Sequence, residues 1–384
     1  SANGAARPPM ADRKRLLVLC PYPFDTAPSQ RLKYEQYLPW LRCQGYAIEI
    51  HSFFSPATYA ILYRQGHLAR KILGVLAGFW RRVALLPRVH AADGVYIHLH
   101  VAPLGPPWLE WLTCRLARAV IYDIDDMVHL LPTSRANAAA GWLKSNGRYF
   151  LLMRQADHVI TCTPALDRLV RQVNPHTTDI SSTINTDTYQ PVNPYTNAKE
   201  LVLGWSGSHS TAPYLHLLDG VLRQLARRHR FRLLVMGPER FELPGVSVEV
   251  IPWSTEVELP TLQRMDIGLY PLPDDPWVQG KSGLKALQYM ALGVPVVATA
   301  AGCNDRVVAD GVTGYLVSSE ADWLAGLERL LTDPDLRRRL GHAGRARVEA
   351  SYSLRANRDR YLAILQATVG QPSPPASRGP LPAP

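Results

Sequence analysis

Short apolar runs alternate along this chain with longer segments of helical period, and that alternation narrows its fold more than any other feature. In the first half, strands are expected at Arg15–Cys20, Tyr46–His51, Gly94–His98, Ala119–Asp123 and His158–Cys162. In the second they are expected at Leu201–Gly204, Phe231–Gly237, Val246–Ile251, Ile267–Pro271 and Val294–Thr299. Runs apolar on both faces and separated by helices belong to parallel, doubly wound α/β sheets. The polar segment Asn185–Lys199 carries two prolines and no periodicity, and reads as a linker between two comparable halves. A length of 384 residues suits two domains. Ligands of such sheets bind at the carboxyl ends of the strands, so two facing halves would enclose a cleft.

Hydrophobic residues make up 47% and charged residues 19%, enough apolar surface for substantial cores. The longest purely apolar run of the first half, Ile72–Trp80, has nine residues. A bilayer crossing needs roughly 20. Leu16–Cys20 is too short for the core of a secretory signal. The expected location is therefore the cytoplasm, or the inner face of the cytoplasmic membrane as a peripheral protein. Met10 is the expected natural start, behind a short remnant. The five cysteines are scattered and form no CxxC pair, which argues for small buried hydrophobes and against a disulfide framework or zinc site. The net charge of +10 suits a phosphate-bearing, membrane or nucleic-acid partner.

The richest segment is Tyr270–Ala298, YPLPDDPWVQGKSGLKALQYMALGVPVVA. A strand ends at Pro271, and a helix is expected to begin near Ser282–Gly283 and stop at Gly293. Small residues at its start leave backbone N–H groups open to an anion, helped by the positive end of the helix dipole. Lys281, Lys285 and Gln288, at i, i+4 and i+7, would present two cations and an amide to a diphosphate and a ribose. Leu284, Leu287 and Ala291 would pack on the sheet. A second small-residue loop follows the first strand of this half, LVLGWSGSHST, and leads into a helix near Ala212. Gly207, Ser208 and His209 would cradle phosphate there. Trp253, in IPWS, is a candidate base contact.

GKSGLKALQYMALGVPVVAT resembles the donor-binding motif of glycosyltransferase family 4, and GWSGSHST, DIGLYPL and DGVTGYLV resemble the same family's donor domain. The resemblance implies the GT-B fold: two Rossmann-like domains, here 13–190 on the acceptor side and 191–352 for the donor. A last helix, 353–367, would return to the first domain, and 368–384 is expected to be a disordered tail. It also implies a nucleotide-sugar donor bound between the domains through Ser282, Gly283, Leu284 and the residues above, transfer with retention of configuration, and neither metal nor other cofactor. Many members carry two glutamates eight positions apart around this helix start; here those positions hold Gly280 and Gln288, so Asp274 or Asp275 would have to substitute. Ser208 and His209 stand where an arginine is usual.

In the first half, AVIYDIDDMVH ends a strand in three carboxylates. A metal-holding DxD at Asp123–Asp125 of the GT-A kind is the competing enzyme reading. In the GT-B frame Asp125 falls where relatives place a catalytic residue, suited to acceptor binding or proton transfer, with Lys281 as its catalytic counterpart at the leaving diphosphate. Asp126 reads as a helix cap. Arg31 lies in the first turn of a helix starting at Pro28–Ser29, where a bound anion would explain a cation. His98 and His100 follow a strand and could face the acceptor.

From Ile50 to Ala92 there is no acidic residue, while Arg64, Arg70, Lys71, Arg81, Arg82 and Arg88 supply six positive charges among apolar residues at helical spacing. A basic amphipathic segment of this kind, over 57–88, suits an anionic membrane surface. Nucleic acid is not expected as a partner, because basic residues are nowhere interleaved with stacking aromatics in a reading motif. The expected function is transfer of a sugar from a nucleoside diphosphate sugar to a glycan or lipid-linked hydroxyl acceptor, in envelope glycan or glycolipid synthesis. A soluble small-molecule acceptor, a GT-B-like epimerase or phosphorylase, and an inactive binding relative are the alternatives.

Overall fold

A computed structural model of the chain describes residues 13–125, 147–192 and 200–371. The chain divides into two compact units, Ser1–Ile180 with Arg358–Pro384, and Ser181–Asn357.

The first unit is built on β1 (Lys14–Cys20), β2 (Tyr46–Ser52), β3 (Gly94–His98), β4 (Val120–Asp123), β5 (His158–Thr161) and β6 (Thr177–Asp179). They form one sheet of order β2-β1-β3-β4-β5-β6, every pair parallel. Both faces are covered, as the two-sided apolar runs require: Leu17, Leu19, Ile97 and Tyr122 are buried on one side with Leu85 and Val89 of the long helix Leu68–Ala91. The register sets His98 opposite Asp123 at the carboxyl end of the sheet. The chain's last described stretch completes this unit. Tyr361 stacks on Tyr37 at 4.2 Å, and the Tyr46 hydroxyl donates to the Gly370 carbonyl at 3.1 Å.

The second unit holds β7 (Leu201–Ser206), β8 (Phe231–Gly237), β9 (Val248–Pro252), β10 (Ile267–Tyr270), β11 (Val296–Thr299) and β12 (Gly314–Val317), in the order β12-β11-β10-β7-β8-β9 and again parallel. Two doubly wound sheets are thus present, with edge strands β6 and β12 added to those expected. In each sheet the strand order reverses once, between β1 and β3 and between β7 and β10, and such switch points are where ligands of open α/β sheets bind.

The division falls at Ile180 and Ser181, not at 190, and again at Asn357 and Arg358. Residues 185–192 pack within the second unit for a physical reason: Tyr189 is buried, and the Arg345 guanidinium donates to the carbonyls of Thr186 and Tyr189. The remainder of the expected linker, Met10, Asp126 and most of the expected tail lie outside the described residues. Among the described residues no helix is long and apolar enough to cross a membrane.

Candidate functional site

At the switch point of the second sheet, β7 ends on Trp205–Ser206 and β10 on Tyr270, and one side chain lies against both. The Lys285 ammonium sits 5.2 Å over the Trp205 ring and 5.4 Å over the Tyr270 ring. Aromatic faces attract the cation, but they do not replace water. Burial, and secondly the charge of Lys281, pull the Lys285 ammonium down to about 7. The Trp205 indole N–H is buried and has no hydrogen-bond partner among the described residues. A cation and an indole donor with no partner among the described residues thus meet at this end of the sheet.

The loop after β7 is drawn against β8. Gly237 has φ +136°, and a Cβ there would stand 1.9 Å from the Gly207 carbonyl oxygen, so this backbone approach requires glycine at 237, while a Cβ at Gly207 would strike the Trp205 ring at 2.2 Å. The Gly207 N–H donates to the Met236 carbonyl at 3.0 Å. Ser208 and His209 are exposed; the Ser208 N–H donates to the Thr211 hydroxyl at 3.0 Å, and the Ser208 and Ser210 hydroxyls lie 2.8 Å apart. Beside this loop, His209, Pro213, His216, Arg240 and Phe241 line a hollow of about 310 Å³. Trp253 follows β9, two strands away from β7, and is half-buried.

The motif helix spans Leu284–Ala291, two residues later than expected. Gly283 sets the start: it is left-handed at φ +75°, and any Cβ would come within 2.9 Å of Val307. Lys281 and Ser282 consequently precede the helix, and the expected stripe of Lys281, Lys285 and Gln288 along one helix face is not formed. Lys281 and Lys285 are half-buried; the Ser282 hydroxyl lies 2.9 Å from that of Ser182. Leu284 is half-buried, whereas Leu287 and Ala291 are in the core. Gln288 is buried, its amide donating to Glu258 at 2.9 Å and to the Tyr189 hydroxyl at 3.2 Å. That amide group is directed at protein partners, which corrects the expectation of a ribose contact through it.

In the first unit the carboxyl end of the sheet holds a buried charge cluster. Lys33 and Asp123 are both buried and 2.8 Å apart. The Tyr96 hydroxyl donates to Asp123, and His98 Nδ1 lies 3.7 Å from it. Burial alone would raise the Asp123 carboxyl, but Lys33 and then His98 outweigh it and hold it below the usual carboxylate range. Asp123 is thus engaged inside the protein, which removes half of the DxD metal reading. Asp125, two residues on, is half-buried, and its carbonyl accepts from the Cys162 thiol at 2.8 Å. Among the described residues no three His, Cys, Asp or Glu side chains are grouped to hold a metal.

Arg31 ends a single helical turn, Pro28–Arg31, and donates to Asp25 at 3.0 Å. A protein carboxylate therefore supplies the anion that was expected from a ligand. After β3 the chain turns through Leu99, left-handed at φ +61°. His98 is buried beside Asp123. His100 is half-buried; burial, followed by the charges of Arg148 and Arg82, lowers it to about 3, so its imidazole is neutral at physiological pH. Its Nδ1 is buried and has no partner among the described residues. Arg82 is not a surface charge: it donates to the carbonyls of Cys20, His51 and Val101 at 2.7, 2.9 and 2.8 Å, binding the ends of β1 and β2 to the loop after β3. Lys33 had no signal in the sequence beyond the run in which it lies, while Trp205 and Tyr270 fall within GWSGSHST and DIGLYPL without being marked out there.

Residues 200–333 match the family described as Glycosyl transferases group 1. Alpha-maltose-1-phosphate synthase from Mycobacterium tuberculosis is 25% identical over 351 residues, covering 80% of this chain and 87% of that protein. Sucrose-phosphate synthase from Thermosynechococcus elongatus superposes with a TM-score of 0.66 at 18% identity, over 92% of this chain and 99% of that one. Anabaena HepE, solved in complex with UDP-glucose, superposes with a TM-score of 0.65 at 14% identity, over 92% and 99% of the two chains.

Proposed function

We propose that this chain, a glycosyltransferase of the GT-B fold with a group 1 donor domain, moves a sugar from a nucleoside diphosphate sugar to a hydroxyl of a glycan or lipid-linked acceptor. The observation that carries the donor reading is Lys285, half-buried between two aromatic rings at the switch point with Lys281 nearby. Two cations held where the sheet opens are poised to neutralise charge growing on a leaving diphosphate, and preorganised charge of this kind lowers the barrier. A UDP-sugar is the first donor to try, because HepE was solved with UDP-glucose. Gly207, Ser208, His209, Ser282 and Gly283 would contact the phosphates and Trp253 the base, with Leu284 at the edge of the site.

Asp125 and the neutral His100 serve the acceptor in this reading, Asp125 as the group that binds or deprotonates its hydroxyl. Arg31, tied to Asp25, shapes that loop. We read the reaction as metal-independent, since lysines supply the charge and Asp123 is already paired with Lys33, and as retaining on the resemblance to glycosyltransferase family 4. We place the enzyme in the cytoplasm or on the inner face of the membrane, in envelope glycan or glycolipid synthesis, with an anionic surface met through 57–88. Transfer from a panel of UDP-, GDP- and dTDP-sugars, with and without EDTA, tests the reading. Turnover with EDTA present supports it. Loss with chelator and return with Mn²⁺ would favour a metal at the carboxylates after β4, and no turnover with any sugar would favour a binding relative.

A further inference from the structure

The membrane reading above expects a basic helix with leucines and tryptophan on one apolar side, and the structure shows which way each side of the long helix faces. Its inward side is Gly74, Gly78, Arg82, Leu85 and Val89. On the opposite side, at steps of three, four and three, stand Leu73, Leu76, Trp80 and Val83. Leu73 is 65% exposed, Leu76 58% and Trp80 73%. A water-facing helix side normally carries polar residues, and an apolar strip several turns long marks a surface that something else covers.

The strip does not end with this helix. The connections β2 to β3 and β3 to β4 run in the same direction along the sheet, so right-handed crossovers set their helices on the same face. The second of these helices, Trp108–Leu116, packs beside the first and leaves Trp108 45% and Trp111 50% exposed. Its carboxylate, Glu110, is buried and accepts from the Ala102 N–H at 3.0 Å. The rim is cationic: Arg64, Arg70 and Arg115 are exposed, Arg88 is exposed and lies 3.8 Å from Glu49, and no acid occurs between residues 50 and 92.

We infer that these two helices form a monotopic insertion face, whose leucines and tryptophans enter one leaflet of an anionic bilayer while the rim arginines meet lipid phosphates. The inference rests on the membrane reading above and adds which side chains leave water. An anionic leaflet matches both halves of the surface, apolar at the centre and cationic at the edge. A second copy of the chain would match the centre but set like charges against like at the rim. Tryptophan suits the boundary between headgroups and chains.

Sedimentation of the full chain with phosphatidylcholine vesicles, with and without phosphatidylglycerol, tests it together with tryptophan emission. Binding should require the anionic lipid, and the emission should move to shorter wavelength. Leu76→Ser combined with Trp80→Ser should weaken vesicle binding about 100-fold, as loss of two buried apolar side chains implies. The thermal shift produced by UDP should stay that of the unaltered chain, which shows that the variant is folded. Vesicle binding that persists in the double variant, with no change in emission, overturns insertion and leaves attachment by charge alone. Failure of the unaltered chain to bind anionic vesicles at low salt overturns the membrane reading itself. If light scattering then gives a dimer that the double variant abolishes, the face belongs to a second copy.

Discussion

Lys281 and Lys285 are visible in the sequence as the cations of GKSGLK, but what surrounds them is not. Trp205 reaches Lys285 across 80 positions of chain, and meets it beside Tyr270, because parallel pairing brings β7 next to β10. The consequence is a pH dependence with a definite sign. Burial first and Lys281 second lower Lys285 to about 7, so its positive charge is present below that pH and lost above it. A bound diphosphate favours the charged form and raises this value again, so binding takes up a proton. Calorimetry in two buffers of different ionisation enthalpy should show proton uptake above neutrality and weaker nucleotide binding as pH rises. Lys285→Arg should flatten the profile, because guanidinium does not titrate there. An unaltered chain with a flat profile would remove Lys285 from the phosphates. Lys281→Ala should cost about 10²- to 10³-fold in turnover, the scale of one preorganised charge at a leaving group. The same change should move the titration of Lys285 upward, since it removes a neighbouring like charge; near wild-type turnover would sink the diphosphate assignment.

At the scale of elements, hydrophobic period located ten strands, yet β6 and β12 escaped it. β6 is the three-residue Thr177–Asp179 at a sheet edge, where half the surface is wet and no apolar run is required. The motif helix was placed up to two residues early because small residues suit a helix start equally at Ser282 and Gly283; the left-handed φ of Gly283 makes Leu284 the first helical residue. Nothing in the pattern announced that Lys33, in the segment after β1, is carried inside to meet Asp123 at the end of β4. That buried pair ties two elements of the first unit, since Lys33 also donates to the Ile124 carbonyl at 3.4 Å. Removing one partner strands a buried charge and is typically worth about 3–5 kcal/mol, whereas removing both is often close to neutral. Lys33→Met should therefore lower stability to denaturant by roughly that amount. Lys33→Met with Asp123→Leu should recover most of it. Asp123 titrates below its unfolded value, so its contribution is complete at neutral pH and lost as pH falls through the acid range. Equal acid sensitivity in the double variant and the unaltered chain would contradict this account.

For the whole molecule, the two units differ in how the chain builds them. The second is contiguous, Ser181–Asn357, while the first is assembled from both ends of the chain. In the first, the returning segment is core and not decoration: Tyr361, Ile364 and Leu365 are buried, Tyr361 stacks on Tyr37, and a Cβ at Gly94 would strike Val369. Ending the chain after Asn357 would leave the space these side chains fill lined by Tyr37, Tyr46 and Gly94, and uncovered apolar surface of that order destabilises by several kcal/mol. The truncated chain should therefore show rapid proteolysis confined to residues before 180, with the second unit intact. A fragment of residues 181–357 contains all six strands of its own sheet and both lysines of the proposed donor site, so it should fold alone. Adding UDP should raise its melting temperature, as any ligand that binds only the folded state does. A stable fragment that UDP, GDP and dTDP all leave unmoved would show that Lys281 and Lys285 do not hold the diphosphate by themselves, and the donor reading built on them would fall.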